Sequence, residues 1–296
     1  MIGIPARFRS AVASLVVFLS VVISISPVTA QSRVELMGEA IQGGVIIGLT
    51  EVGTKAVLDG EPLMVSDTGR FVFGFDRDHT SAAHLDLEYP DETRESLLIE
   101  VAVREYDVQR IEGVASRYVS PSAEQLERIR REGAIKRAAR PRDTDADWFA
   151  ENFIWPVKGT ITGTFGLARF FNGEARRPHY GVDIAASTGT PIVAPAPGIV
   201  TLAEPDLYFE GGLIFIDHGQ GLISVLMHLS SVDVEVGEQV VQGDIIGAVG
   251  ATGRVTGAHL DWRMYWRSAH VDPALLAGEM PAPTPLERPQ NGADAQ

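Results

Sequence analysis

Three short stretches in the second half of the chain carry side chains that could bind a metal ion or move a proton. "RPHYGVD" places His179 and Asp183 four residues apart, "GAHLDW" places His259 and Asp261 two apart, and "LISVLMHLS" contains His228. Imidazole and carboxylate groups are ligands of zinc, and imidazole is also the commonest general base. These residue types therefore permit a hydrolytic centre in which three ligands hold a metal ion and a histidine acts on its water.

The structural elements around these residues follow from local patterns. A proline precedes His179 and a glycine lies before Asp183, so both are expected where a loop runs into a strand, not on a helix. Side chains of a strand alternate between its two faces. Alternation divides "HLDWRMYW" into a polar face of His259, Asp261, Arg263 and Tyr265 and an apolar face of Leu260, Trp262, Met264 and Trp266.

Each stretch alone is weak support for a site. A histidine four residues from an aspartate is frequent by chance, and a lone histidine on a strand is more often packed than catalytic. The glycine-rich turn "VGATGRVTG" lacks the lysine and the spacing of a phosphate-binding loop, and the absence of "HExxH" leaves histidine as the general base. The other histidines are expected to be structural or solvated: His79, His84, His218 and His270.

Charge, cysteine and lysine content exclude several classes of function. The 296 residues carry a formal net charge of −14, which makes binding of nucleic acid or anionic lipid through the general field unfavourable. There is no cysteine, so a metal site must use histidine and carboxylate ligands. "VGEQVVQGDIIGAVG" has the glycine rhythm of a lipoyl-type carrier, but no lysine follows Lys158 to hold the prosthetic group.

The first thirty residues are typical of a secretory signal. Arg7 and Arg9 precede the apolar run "AVASLVVFLSVVISI", and "SPVTA" supplies small residues before Gln31. Cleavage after Ala30 is expected because the run is short for a membrane span, with an uncleaved anchor as the alternative. The folded part is then expected to be periplasmic or secreted. No later segment is apolar enough to cross a membrane.

Composition divides the rest of the chain, and the expected fold class is mainly β. Residues 31–118 contain short strands separated by Gly, Asp and Pro turns, which predict a small β-sandwich-like domain. Residues 119–152 predict a basic connector helix and linker, for which a solvated surface is favoured over contact with an anionic polymer. Strands and glycine turns return over 153–278, and the Pro-rich tail 279–296 is expected to be disordered.

Three longer stretches together resemble the lysostaphin-type (LytM-type) zinc endopeptidases of bacterial cell walls. They are "GTFGLARFFNGEARRPHYGVDIAASTGTPIVAPAPGIV", "DHGQGLISVLMHLSSV" and "VGEQVVQGDIIGAVGATGRVTGAHLDWRM". The resemblance extends over about residues 153–277. It implies a β-sheet core of the duplicated-hybrid-motif type, one Zn²⁺ per chain, and cleavage of peptide cross-links in peptidoglycan.

The resemblance also implies a role for each candidate residue. His179 and Asp183 would be metal ligands, and His228 and His259 would polarise the water and stabilise the tetrahedral intermediate. The family's third ligand is a histidine two residues after the last catalytic one, where this chain has Asp261. A carboxylate binds zinc at about 2.0–2.2 Å but adds negative charge, so the metal acidifies its water less. The harder ligand set also admits other divalent ions such as Mn²⁺.

Two hypotheses of function follow. The favoured one is an active zinc endopeptidase that remodels peptidoglycan during growth or septation, because both catalytic histidines and two ligands are retained and Asp261 can still bind metal. The alternative is a weak or inactive member that regulates or activates another cell-wall hydrolase or a division protein. The Asp261 replacement and the N-terminal β-domain, which could dock such a partner, motivate this alternative.

Overall fold

The computed structural model of the chain describes residues 32–111, 122–140, 144–171 and 174–281. The predicted signal segment 1–30 and residues 282–296 of the predicted tail lie outside the described residues. From Arg33 onwards the described residues belong to one compact unit.

The described part of the chain consists mostly of strands, which confirms the mainly β fold class. The strands of the first half are β1 (Glu35–Gly38), β2 (Val45–Leu49), β3 (Lys55–Leu58), β4 (Glu61–Leu63), β5 (Arg70–Gly74), β6 (Ala83–Glu88), β7 (Arg94–Ile99) and β8 (Val108–Ile111). Helix α1 (Ala123–Ala138) and a 3₁₀ turn (Trp148–Ala150) follow. The second half contains β9 (Thr160–Gly163), β10 (Ala168–Phe171), β11 (Glu174–Arg176), β12 (Gly181–Ala185), β13 (Pro191–Val193), β14 (Gly198–Leu207), β15 (Gly211–Asp217), β16 (Leu222–Val232), β17 (Gln239–Val240), β18 (Ile245–Val249), β19 (His259–Trp266), β20 (Ala269–Val271) and helix α2 (Pro273–Ala277).

Two small sheets contain strands β1 to β7, while β8 belongs to a third sheet of order β11-β10-β8. One has the strand order β1-β2-β5 and the other β4-β3-β6-β7, and all their pairings are antiparallel. β6 alternates buried and exposed residues, as a strand does when one face packs on a core. Phe71, Phe73 and Leu85 are fully buried between these sheets and their neighbours.

A ten-stranded sheet forms the C-terminal half. Its main path is β17-β14-β15-β16-β19-β12-β9, to which β13, β18 and β20 are attached. The path places β16, β19 and β12 side by side, and these are the strands that carry the candidate chemistry. Leu260, Trp262 and Met264 are fully buried, which confirms the apolar face predicted for β19.

The two halves share one hydrophobic core. The core cluster runs from Val34 in the N-terminal half to Val271 in the C-terminal half. Gly74 of β5 approaches β20 so closely that an added Cβ would lie 2.8 Å from Val271 Cγ1. A half-buried arginine strengthens the junction, because Arg104 Nη1 donates to the buried carboxylate of Asp272 at 2.8 Å.

The predicted connector helix is present as α1 and begins with a capping box. Ser122 Oγ accepts from Gln125 N, and the Gln125 side chain accepts from Ser122 N. The helix is docked more firmly than a solvated connector, because buried Glu132 accepts from Tyr208 N at 2.9 Å and Lys136 pairs with Glu210. Arg130, Arg131 and Arg137 of the same helix are exposed. Across the described ranges, no helix has the length and apolarity to span a membrane.

A buried histidine, His218, makes the stability of the folded protein depend on pH. His218 is fully buried, with Nδ1 2.7 Å from Pro197 O and Nε2 2.8 Å from Ser224 Oγ. The carbonyl can only accept, so Nδ1 carries the proton and Nε2 accepts from the hydroxyl. Burial lowers the pKa of His218 to about 4, despite the hydrogen bond to Pro197.

We predict that His218 destabilises the folded protein in acid. Below about pH 6.5 the unfolded chain takes a proton that the folded chain refuses until about pH 4, so stability falls through this window by up to about 3 kcal/mol. Urea unfolding of His218→Gln between pH 4 and 7 should show a shallower pH dependence than wild type. Exposed His84→Gln is the matched control; equal slopes for all three proteins would contradict the prediction.

Candidate metal centre

Adjacent strands bring the three predicted ligands together. β12 and β19 are antiparallel, and their register sets Asp183 directly opposite Asp261. His179 lies in the loop before β12, where its N–H donates to Leu167 O and its carbonyl accepts from Gly166 N. His179, Asp183 and Asp261 each offer a ligand atom, and these atoms all lie within 4.8 Å of one another.

The ring of His179 is buried and has no hydrogen-bond partner among the described residues. The residue is 2% exposed, and neither ring nitrogen makes a hydrogen bond with this part of the chain. Nε2 lies 3.2 Å from Asp183 Oδ1, close enough for an ion pair with a protonated ring but without hydrogen-bond geometry. A buried polar atom left without a partner is costly. A metal ion held between the imidazole and the carboxylate would satisfy that nitrogen.

Two glycines make room for the carboxylates. A Cβ at Gly163 of β9 would lie 2.4 Å from Asp183 Oδ2. A Cβ at Gly181 of β12 would lie 2.6 Å from Asp261 Oδ1. These distances are shorter than any real contact of a Cβ, so a side chain at either position would displace a ligand. The two glycines therefore leave the space that the carboxylates of Asp183 and Asp261 occupy.

The two other predicted residues, His228 and His259, face each other beside this cluster. Their ring centroids are 4.9 Å apart, and His259 Nε2 lies 3.7 Å from Asp183 Oδ1. Nδ1 of His259 is 2.9 Å from Gly257 O, and Nδ1 of His228 is 3.1 Å from Thr252 O. Carbonyl oxygens only accept, so each Nδ1 carries a proton and each Nε2 keeps a lone pair for chemistry.

An unusual backbone conformation turns His228 towards its neighbour. Its φ is +69°, in the left-handed region that non-glycine residues rarely adopt. The register of β16 is interrupted just beyond it, between Leu229 and Ser231. His228 N donates to Glu210 O at 2.8 Å, which fixes the kink. Such strain persists only where the surroundings hold it, and it is concentrated at functional sites.

Burial keeps His228 neutral. Desolvation lowers the pKa of this imidazole, although the negative charge of Asp261 opposes the shift. The neutral ring offers an acceptor at Nε2 over a wider pH range than an exposed histidine would.

Arg263 holds Asp261, a contact that the sequence analysis did not identify. Arg263 Nε lies 3.1 Å from both carboxylate oxygens, and Nη2 lies 2.6 Å from Oδ2. Burial alone would raise the pKa of Asp261, but the positive charge of Arg263 outweighs burial and holds this pKa below its ordinary value. The predicted alternation of β19 already placed both residues on one face, and that signal could have revealed the pair.

The residues present fit a metal ion. His179 supplies a partnerless buried imidazole, and Asp183 and Asp261 supply carboxylates on facing strands. A carboxylate has about four lone-pair positions, so Asp261 retains acceptor capacity beside the hydrogen bonds from Arg263. One imidazole and two carboxylates are a ligand set compatible with Zn²⁺ and with harder divalent ions.

We predict that Gly163→Ala disrupts metal binding while the chain still folds. The added methyl group meets Asp183 Oδ2 and must push this carboxylate away from His179. We expect at least about a tenfold loss in metal affinity, in line with the effect of displacing a partner of a metal ligand. Affinity would be measured by chelator competition and folding by circular dichroism. Gly133→Ala on α1, where the added Cβ meets only the mobile end of Arg137, should bind metal like wild type; equal affinity for both variants would refute this account.

A family profile and a solved structure both show similarity to peptidase family M23. Residues 177–273 match the profile of peptidase family M23. A crystal structure from Pseudomonas aeruginosa described as a peptidase M23 has 32% sequence identity and a TM-score of 0.62, with 81% of this chain and 96% of that chain covered.

Curated relatives match part of this chain. Cell division protein DipM of Caulobacter vibrioides is 34% identical over 151 residues, 48% of this chain and 24% of that protein. Peptidoglycan DD-endopeptidase ShyC of Vibrio cholerae is 38% identical over 100 residues, 34% of this chain and 23% of that protein. The chain thus spans about a quarter of the length of these curated relatives.

Proposed function

This chain belongs to peptidase family M23, and we propose that it is a zinc-dependent endopeptidase that hydrolyses peptide cross-links of bacterial peptidoglycan. One observation carries the proposal: two histidines with available Nε2 atoms lie beside a His–Asp–Asp cluster whose ligand atoms are within 4.8 Å of one another. A ligand cluster alone could be structural, but a ligand cluster next to two poised bases is suited to hydrolysis.

The proposed ligands are His179, Asp183 and Asp261. A bound Zn²⁺ would acidify a water molecule and polarise the carbonyl of the scissile peptide bond. Three protein ligands leave a position open, as catalytic zinc sites require. The partnerless ring of His179 and the acceptor capacity left on Asp261 support this assignment.

The two remaining histidines would handle the proton. His259 Nε2, which is 3.7 Å from Asp183 Oδ1, takes the proton of the attacking water and returns it to the leaving amine. The carbonyl of Gly257 holds Nδ1–H and so keeps the ring in the required tautomer. His228, kept neutral by burial, accepts a hydrogen bond from the water at Nε2 and orients it.

The substrate and cellular location complete the proposal. ShyC is named as a peptidoglycan DD-endopeptidase, and DipM as a cell division protein. These relatives support a peptide cross-link of peptidoglycan as the substrate, in growth or septation, and an action in the periplasm or outside the cell. The net charge of −14 disfavours nucleic acid as a partner.

A second candidate function is regulation of another cell-wall hydrolase or of a division protein. The contact that favours it is the fork of Arg263, which already occupies both oxygens of Asp261. The similarity to a protein named for cell division supports the same alternative. Direct digestion of peptidoglycan separates the two functions.

We predict that residues 31–296 with Zn²⁺ release cross-link fragments from isolated sacculi. His259→Ala should lower the rate at least about 100-fold, because the proton acceptor is lost. Asp261→Ala should lower both activity and metal content, since it removes a ligand. Products would be identified by mass spectrometry of the released muropeptides.

The matched control is His84→Gln, a histidine exposed in the N-terminal half, which should cut like wild type. If wild-type protein binds zinc stoichiometrically but releases no fragments, the endopeptidase proposal is wrong. Stimulation of a second hydrolase by that same inactive protein would then establish the regulatory function.

A further inference from the structure

We propose that Asp261 and Arg263 act together as a single, charge-neutral metal ligand, in which Arg263 sets how strongly Asp261 binds the ion. The inference rests on the proposed function, because it assigns Asp261 to the metal. Arg263 itself contacts no reacting atom in this scheme and is a positioning residue.

The geometry of the pair is bidentate and enclosed. Arg263 Nε and Nη2 both donate to Asp261, with the shortest contact, 2.6 Å, from Nη2 to Oδ2. The side chain of Asp261 is 4% exposed and that of Arg263 is 27% exposed. Planar fork-to-carboxylate pairs fix orientation as well as charge. The arginine therefore holds the carboxylate plane in one position whether or not an ion is bound.

The backbone prepares this pair on both strands. Residues two apart on β19 point to the same face, so the guanidinium folds back along the strand onto its neighbour. Gly181 of β12 lies opposite Arg263 in the register. A Cβ there would lie 2.5 Å from Arg263 Cγ and 2.6 Å from Asp261 Oδ1. One missing side chain thus makes room for both members of the pair.

Charge explains why the pair matters. Asp183 and Asp261 together cancel both charges of a divalent ion, which would leave a weak Lewis acid. Arg263 returns one positive charge to the site, so the ligand position is neutral, as an imidazole would be. The ion then keeps the excess positive charge on which acidification of its water depends.

The pair also alters the ligand itself. Outer partners of metal ligands are often carboxylates that raise the basicity of a histidine. Here the partner is a cation, and it withdraws electron density from a carboxylate. Arg263 therefore weakens the bond between Asp261 and the ion while it strengthens the ion as a Lewis acid. This opposite effect on affinity and on rate is a signature that a purely structural role would not produce.

The test measures Zn²⁺ affinity and turnover in the full chain. Arg263→Gln should bind Zn²⁺ roughly tenfold more tightly than wild type, because a nearby positive charge is removed. Its rate on sacculi should fall by roughly tenfold. Arg263→Lys keeps the charge without the fork and should stay within about threefold of wild type in affinity. Arg94→Gln, an exposed arginine paired with Glu88, is the control for an arginine-to-glutamine change.

A second variant protects the test against loss of folding. Arg263→Gln leaves Asp261 buried without its partner, and such changes destabilise proteins. Asp261→His combined with Arg263→Gln replaces the neutral pair by a neutral imidazole and should bind Zn²⁺ within about tenfold of wild type. Asp261→His alone leaves Arg263 beside the ion and should bind more weakly than the double variant.

The outcomes separate this inference from the proposed function. The neutral-pair inference is wrong if Arg263→Gln binds Zn²⁺ more weakly than wild type. It is also wrong if the single and double histidine variants bind Zn²⁺ equally well, and both conclusions hold even if the wild type cuts sacculi. Tighter binding in Arg263→Gln without any cutting by wild type supports the pair and rejects the endopeptidase. If wild type binds no Zn²⁺ and Arg263→Gln does, Arg263 blocks the site and the inference is wrong.

Discussion

The pairing of β12 with β19 is the contact on which the candidate site depends. Its register sets Asp183 opposite Asp261, and a slip of one residue would turn one carboxylate to the apolar face. Large buried side chains on that apolar face, above all Trp262, hold the register in place. Packing on one side of the sheet thus fixes the chemistry on the other.

A second constraint comes from electrostatics in a buried site. The site places two carboxylates and several imidazoles in a small volume, and one arginine balances the charge. The low-polarity surroundings make every member sensitive to the others: burial keeps His228 neutral, while Arg263 keeps Asp261 ionised. The site therefore behaves as one electrostatic unit, in which no side chain can be altered without changing the properties of its neighbours.

Much of this arrangement was predictable from local pattern. Alternation along "HLDWRMYW" gave the two faces of β19, and proline and glycine placed His179 and Asp183 at the start of a strand. A helix was expected within residues 119–152, and it occupies Ala123–Ala138. Contacts over long sequence separations were not predictable. The docking of Glu132 onto the backbone of Tyr208, the kink at His228 held by Glu210, and the space left by Gly163 all depend on tertiary packing. Strand alternation predicts that Arg263 and Asp261 lie on the same face of β19. It does not predict that their side chains form hydrogen bonds with each other.

The common core has a consequence for the modularity of this protein. Gly74 packs closely against Val271, and Arg104 donates a hydrogen bond to Asp272. Apolar side chains from both halves form one cluster. A fragment cut near residue 150 would expose to water the surface that the N-terminal sheets now cover. The C-terminal half therefore relies on the N-terminal sheets for part of its core, and these sheets serve as part of its scaffold.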